Sequence, residues 1–308
     1  MFKQLCLLSA CMVMGACGQS VEEPSATPEA PEPAAPEMVS ESAGPAPAPV
    51  SLDDILSALP EDDQARIPYR HPKETLTFFG VEPGMTVVDT TPGGVWYTGI
   101  LADYLGPDGQ VIGADRPLAV WESFGSQYAT AEFLAERENW PAEWSAEQTA
   151  AYGEGAPSFN AIIYGSAPED LHGTVDVVMM IREFHNMKGA DGSDVLVAGV
   201  LEEIYALLKP GGVFGIVQHR APEGASDDWA TGRNGYVKQS EVVRLVEAAG
   251  FALEDSSEVN ANPNDQPTEE DYVWRLPPTL SVPEDDQERR AAMLAIGESD
   301  RMTLKFRK

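Results

Sequence analysis

The sequence predicts an α/β fold built around a mostly parallel sheet, and three observations carry that expectation. Short apolar runs alternate with helix-like segments from about residue 52 to the carboxyl terminus. Each such alternation implies a crossover between parallel strands. Turn chemistry sits where the chain must re-enter a buried strand, as in Gly106-Pro107-Asp108-Gly109 and Lys209-Pro210-Gly211-Gly212. A composition of 43% apolar and 23% charged residues over 308 positions is that of a globular chain with a sizeable core.

The elements follow in order. Leu52 to Leu59 predicts a short opening helix, and Pro72 to Gly80 another, with Pro early and Gly at the end, as helix boundaries prefer. Met85 to Asp89 reads as the first strand and Trp96 to Tyr104 as the helix after its Gly-containing turn. Gln110 to Ala114 is the second strand, ending at Asp115. Ala161 to Tyr164, Val175 to Ile181 and Val213 to Gln218 are the third, fourth and fifth strands, with a helix from Val195 to Leu208 between the last two. Val237 to Ala249 predicts an amphipathic helix, Phe251 to Val259 a sixth strand and Arg301 to Phe306 a closing strand. The Pro- and acid-rich stretch from Asn260 to Asp286 is a long excursion.

Charge and cysteine usage narrow the function. With 20 Lys and Arg against 50 Asp and Glu the net charge is −30, and no basic tract offsets it. Such a surface repels nucleic acid and anionic headgroups, so neither is an expected partner. All three cysteines, Cys6, Cys11 and Cys17, precede the globular region, which excludes disulfides, thiolate zinc sites and cysteine nucleophiles from it. A basic start and an apolar run from Leu5 to Ala16 have the length of a signal-peptide core and are too short to span a bilayer. Met14-Gly15-Ala16-Cys17 resembles the bacterial lipoprotein signal. The resemblance implies cleavage after residue 16, lipidation of Cys17 and membrane contact through that residue alone, on the cell envelope. Ser20 to Val50 holds eight Pro, seven Ala and six Glu with no Lys or Arg, a composition that predicts an extended tether. The expected organisation is therefore a signal peptide over 1–16, a tether over 17–50 and one domain over 51–308.

The turn after the first strand, Thr90-Thr91-Pro92-Gly93-Gly94, suits close approach of a ligand to the backbone and to the start of a helix. Asp115 at the end of the second strand suits a pair of ribose hydroxyls. Together with Val81-Glu82-Pro83-Gly84-Met85-Thr86 before the first strand and Leu208-Lys209-Pro210-Gly211-Gly212 before the fifth, these residues resemble class I S-adenosylmethionine-dependent methyltransferases. Within that class the chain is similar to a bacterial group described as predicted methyltransferases. The segments carrying this are Arg70 to Leu76, Gly94 to Thr98, Arg182 to Asn186, His219 to Ala221 and Ser299 to Leu304. The resemblance covers about four fifths of the chain, from Asp63 onward. It implies a Rossmann-like seven-stranded methyltransferase sheet, mostly parallel with an antiparallel last strand, and helices on both faces. It further implies S-adenosyl-L-methionine as cofactor, with Asp89, Gly93 and Gly94 toward the methionine part, Asp115 toward the ribose and Ala167 toward the adenine. The family turn is acid-x-Gly-x-Gly-x-Gly; here the three glycine positions are Thr91, Gly93 and Val95, so only the middle one is met. A β-branched residue at Val95 disfavours positive φ and brings methyl groups near the ligand path.

His185 follows the fourth strand and His219 ends the fifth, so the topology lets them share an acceptor pocket with Arg182, Glu183 and Arg220. They are the candidate base or orienting groups for the methyl acceptor. His71 also falls near the ligand edge. No short histidine spacing of a metal site appears, and no metal is expected. Trp121, Phe124, Tyr128, Phe133, Trp140 and Trp144 read as core packing or as a lid over the cleft. The sequence thus predicts an exported, lipid-anchored methyltransferase acting on a small molecule. A noncatalytic lipoprotein that uses the same fold as a ligand-binding module, and a histidine-based metal hydrolase, stay open beside it.

Overall fold

The computed structural model describes residues 50–190 and 192–308. The signal sequence, Cys17 and all but the last residue of the tether lie outside the described residues. In chain order the elements are α1 (Leu52–Ala58), α2 (Glu61–Gln64), α3 (Ile67–Arg70), α4 (Pro72–Phe79), β1 (Thr86–Thr90), α5 (Trp96–Leu105), β2 (Gln110–Asp115), α6 (Leu118–Ser123), α7 (Ala131–Tyr152) and β3 (Ser158–Ile163). They continue with β4 (Val175–Ile181), α8 (Phe184–Gly189), α9 (Val195–Leu207), β5 (Leu208–Ala221), β6 (Val237–Lys238), α10 (Gln239–Ala248), β7 (Ala252–Ser257), α11 (Gln287–Ile296) and β8 (Arg301–Arg307).

Seven strands form the continuous order β3-β2-β1-β4-β5-β8-β7, and β6 pairs with the end of β5 off that path. The first five are mutually parallel, and β8 runs antiparallel to both β5 and β7. This is the Rossmann-like α/β sheet with an antiparallel last strand that the sequence predicts. The strands read as nearly continuous apolar runs because both faces are covered, so successive residues enter different cores. Val87, Val111, Val177, Met179 and Val213 pack with α1, α4, α5 and Trp144 of α7. Val88, Ile112, Val178, Met180 and Phe214 pack with α8, α9 and α10. Helix α9 buries Val197, Val200, Leu201, Ile204 and Leu207, the three-and-four spacing of one helical face. At Gly215 of β5 an added Cβ would lie 2.6 Å from the Phe79 ring, so the absent side chain is what lets α4 lie against the sheet.

Three sequence expectations need correction. Lys209 to Gly212, read as a turn, lies inside β5. The register against β4 jumps from Val175–Leu208 to Val177–Val213, so the extra residues bulge outward with Pro210 and Gly211 exposed. The helix expected from Val237 begins two residues later, because Val237 and Lys238 pair with Arg220 and Ala221. The excursion after β7 ends in a helix, α11, that the sequence reading does not contain. None of its residues is buried, although Ala291 to Ile296 are all apolar.

Candidate functional site

At the carboxyl edge of the sheet the strand order reverses between β1 and β4, where an open α/β sheet presents its ligand crevice. The β1 turn adopts a left-handed backbone at all three glycine-motif positions: φ is 52° at Thr91, 53° at Gly93 and 54° at Val95. The sequence argument from Val95 is therefore corrected in its local consequence. The turn keeps the glycine conformation although two positions carry β-branched residues, which marks the turn as strained. Gly93 and Gly94 are exposed, and a Cβ at Gly94 would meet nothing within 4 Å, so the backbone is open to a ligand. Thr91→Gly is expected to raise stability. Relief of a strained β-branched residue, worth about 1–2 kcal/mol, and of a buried hydroxyl without a partner, about 1 kcal/mol, exceeds the roughly 0.5–1 kcal/mol that glycine adds to the unfolded chain's entropy. A urea midpoint that falls in this variant would refute the strain argument.

The acids on this edge are held differently. Asp89 is 3% exposed and accepts a hydrogen bond from Thr98 Oγ1 of α5 at 2.8 Å. Burial pushes its carboxyl up to about 6, against the pull of that hydrogen bond. Asp115, also 3% exposed, accepts from the Arg116 amide at 2.9 Å, from Trp121 Nε1 at 3.1 Å and from Arg137 Nη1 at 3.5 Å. Arg116 stacks 4.4 Å from the Trp121 ring and donates to Glu183 Oε2 at 2.8 Å, so the segment between β2 and α7 closes over the end of β2. Of the connecting aromatics, Trp121, Phe124, Tyr128 and Phe133 form this cover, whereas Trp144 packs on β2 over Gly113. The loop after β3 is also pinned, because Glu203 of α9 accepts from the amides of Gly165 at 2.7 Å and Ala167 at 3.0 Å.

The backbone at Gly93 and Gly94 is open, whereas the Asp115 carboxylate is occupied by Trp121 and Arg137, which a ribose would have to displace.

Beside the turn lies a cavity of about 430 Å³ lined by Thr91, Arg116, Arg182, Glu183, His185 and His219, with Ile181, Phe124, Trp274 and the Pro277–Pro278 pair as apolar walls. The structure thus brings four of the sequence-predicted acceptor residues together: Arg182, Glu183, His185 and His219. Arg220 is not among them. Its guanidinium is taken up by Asp300, at 2.8 and 3.1 Å, and Glu258, at 2.8 and 2.7 Å, and faces a separate depression with Asp265. His71 caps a helix junction with φ 41° and does not line the cavity. His172 is exposed.

The two cavity histidines lie with ring centroids 5.3 Å apart. Gln218 donates through Nε2 to the carbonyls of Gly235 at 2.8 Å and His219 at 3.2 Å, so its Oε1 accepts from the His185 amide and from Nδ1, each at 3.2 Å. That fixes Nδ1 as the protonated nitrogen and leaves Nε2 of His185 as an acceptor. Burial pushes His185 down to about 4, and burial together with the neighbouring His185 pushes His219 well below its usual range. Both rings are therefore neutral near pH 7 and serve as hydrogen-bonding groups more than as proton reservoirs. His219 Nδ1 lies 2.6 Å from Ser299 Oγ. Glu183 is pushed up to about 7 by burial, opposed by Arg116.

The sequence reading missed the charge network behind the cavity. Glu298 accepts from Arg70 Nε at 3.2 Å and Arg301 Nη1 at 2.9 Å, and all three are buried. Arg70 and Arg301 stand in segments that carry the family resemblance, but nothing local in the sequence announces that they meet. The excursion after β7 supplies the outer wall. Arg275 anchors it through Asp265 at 2.8 Å and the Tyr236 hydroxyl at 2.7 Å. Among the described residues no group of three or more histidines, cysteines or acids is placed to hold a metal, and no helix is long and apolar enough to cross a membrane.

No protein-family model matches the chain, and no curated protein matches its sequence. Among solved structures it is similar to a SAM-dependent methyltransferase from Aquifex aeolicus, at 20% identity over 68% of this chain and 94% of that one, with a TM-score of 0.45. It is also similar to the 1,6-didemethyltoxoflavin-N1-methyltransferase of Burkholderia thailandensis, solved with bound 1,6-didemethyltoxoflavin and S-adenosylhomocysteine, at 16% identity over 80% and 81% of the two chains and a TM-score of 0.43. A third is the geranyl diphosphate C-methyltransferase of Streptomyces coelicolor, at 13% identity over 83% and 82% and a TM-score of 0.46. At these identities the similarity is one of fold alone.

Proposed function

We propose that the chain is an S-adenosylmethionine-dependent methyltransferase whose acceptor is a small molecule seated in the cavity beside the β1 turn. The observation that carries this reading is the strand order. It sets the open glycine turn and Asp115 on one side of the β1–β4 reversal and the two histidines of the cavity on the other, with the cavity between. Gly93, Gly94 and Asp89 would hold the methionine part, Asp115 the ribose and the Ala167 loop the adenine edge. The cofactor supplies an electrophilic methyl group on a sulfonium. The protein's own part is to position the acceptor and exclude water. His185 Nε2 accepts a hydrogen bond from the acceptor's O–H or N–H and so orients its lone pair. We further propose that the mature chain is held on the periplasmic side of the cell envelope through acylated Cys17. The basic start, the apolar run and the small residues before Cys17 support this.

The second reading, a noncatalytic binding module on the same fold, is favoured by one observation: Asp115 is already engaged by Trp121 and Arg137. Calorimetric titration of the full chain with S-adenosylhomocysteine separates the two. Micromolar binding is expected, with loss in Asp115→Ala. Asp115→Asn, which keeps an acceptor for Trp121, guards against a folding defect. No binding at millimolar ligand by folded protein would remove the cofactor reading and leave the binding module.

A further inference from the structure

The charges on and behind the cavity wall are unevenly satisfied in a chain of net charge −30. On the wall stand Arg116 and Arg182 with Glu183 and Glu298, and behind Glu298 lie the guanidiniums of Arg70 and Arg301. Arg116, Arg70 and Arg301 each have an acid partner, at 2.8, 3.2 and 2.9 Å. Arg182 takes part in no ion pair among the described residues, and its Nε is buried without a hydrogen-bond partner. It occupies a left-handed backbone position, φ 59°, immediately after β4, in the same strained class as Thr91 across the cavity. Buried polar atoms without partners gather on this wall: Thr91 Oγ1, Arg116 Nε, Arg182 Nε and Glu183 Oε1. Unsatisfied groups concentrated on one cavity mark a place where a ligand completes the hydrogen bonding. Burial and repulsion from Arg70 and Arg301, opposed by attraction to Glu298, lower the Arg182 guanidinium to about 10, so it stays charged at neutral pH.

We propose that this cavity binds the carboxylate of a small, largely apolar organic acid, with Arg182 as its counter-ion. A single uncommitted guanidinium matches a single negative charge, and its planar fork matches a two-oxygen group. The neutral histidines offer hydrogen bonds to the rest of the molecule without calling for a second negative charge. Ile181, Phe124, Trp274 and the two prolines give flat apolar surface, and about 430 Å³ is room for a ligand of one or two rings. The assignment rests on the proposed function for the role of methyl acceptor, whereas binding itself is measured without cofactor.

The test uses benzoate, its neutral isostere benzamide and phenyl phosphate as probes on the full chain, read by thermal shift and calorimetry. Benzoate is expected to raise Tm and benzamide to have little effect. Arg182→Gln is expected to weaken benzoate binding by about tenfold or more. The unliganded Tm of this variant is expected to be no lower than that of the wild type, since repulsion from Arg70 and Arg301 is relieved. Arg182→Asn, which accepts the left-handed backbone, serves if the first variant does not fold. Equal binding of benzamide, retention of benzoate binding in Arg182→Gln, or a preference for phenyl phosphate of more than about tenfold would overturn the carboxylate site. S-adenosylhomocysteine titrated into the same proteins keeps the two readings apart. If it binds and benzoate does not, the carboxylate site is overturned and the methyltransferase stands. If benzoate binds through Arg182 and it does not, the site stands without that cofactor.

Discussion

Glu298→Ala is expected to destabilise the protein by about 3–5 kcal/mol, because it leaves two buried guanidiniums without their shared acid. Arg70 reaches Glu298 at 3.2 Å from the end of α3 and Arg301 at 2.9 Å from the start of β8, while Arg301 Nη2 donates to the Tyr69 carbonyl at 2.6 Å. The carboxylate therefore ties the α3–α4 junction to the first residue of the last strand, and Glu298 itself lines the cavity. Removal does more than delete two hydrogen bonds. Arg70 already lowers the proton affinity of Arg182 and Arg301, and Arg301 that of Arg182, so the variant concentrates positive charge in a place water reaches poorly. Glu298→Gln, which keeps one acceptor oxygen, is expected to fall between the two. Urea denaturation with an unchanged slope measures the effect. A loss below about 1 kcal/mol would mean that the triad is hydrated and behaves as a surface pair.

That network also shows why the site was only partly legible in the sequence. The strands were readable because both faces are buried, so Val87-Val88, Val177-Val178 and Met179-Met180 stand out as continuous apolar runs whatever their neighbours. Residues that follow directly on β4, such as Arg182, Glu183 and His185, or stand near the end of β5, such as His219, inherit a position from the topology. Glu298 does not. It lies 228 residues from Arg70, in a polar turn, and only the pairing of β8 with β5 brings it to the cavity. Arg220 misled for the converse reason. It stands in β5 one residue after His219, but the alternation of a strand sends adjacent side chains to opposite faces, and its partners Asp300 and Glu258 come from distant loops. The cover over Asp115 was likewise out of reach, since the aromatic spacing between β2 and β3 is compatible with core and lid alike.

Asp89→Asn is expected to stabilise the protein at neutral and alkaline pH while weakening cofactor binding. The Asp89 carboxyl titrates at about 6 in the folded chain against 3.8 for the ordinary group, because burial opposes its ionisation. Between those values the folded state keeps a proton that the unfolded state has released. Stability therefore falls as pH rises from about 4 to about 6 and stays lower above, by roughly 3 kcal/mol in all. The lowered histidines act with the opposite sign in part of the same window, since the unfolded chain takes up protons below its histidine range before His185 does. They are common to both proteins, however, so the difference between wild type and Asp89→Asn isolates Asp89. That difference is expected to be small at pH 4 and about 2–3 kcal/mol in favour of the variant at pH 8. The amide keeps an oxygen for Thr98, so the helix contact survives. On the proposed function, an acid near the end of β1 that lowers stability when ionised would gain a partner in the ammonium of the cofactor's methionine part. On that account S-adenosylhomocysteine binding near pH 6 releases a proton from wild type and none from Asp89→Asn, as calorimetry in two buffers of different ionisation enthalpy measures. A variant that gained stability yet bound S-adenosylhomocysteine as tightly as wild type would reduce Asp89 to an acceptor for Thr98 and shift the weight of cofactor recognition to Asp115.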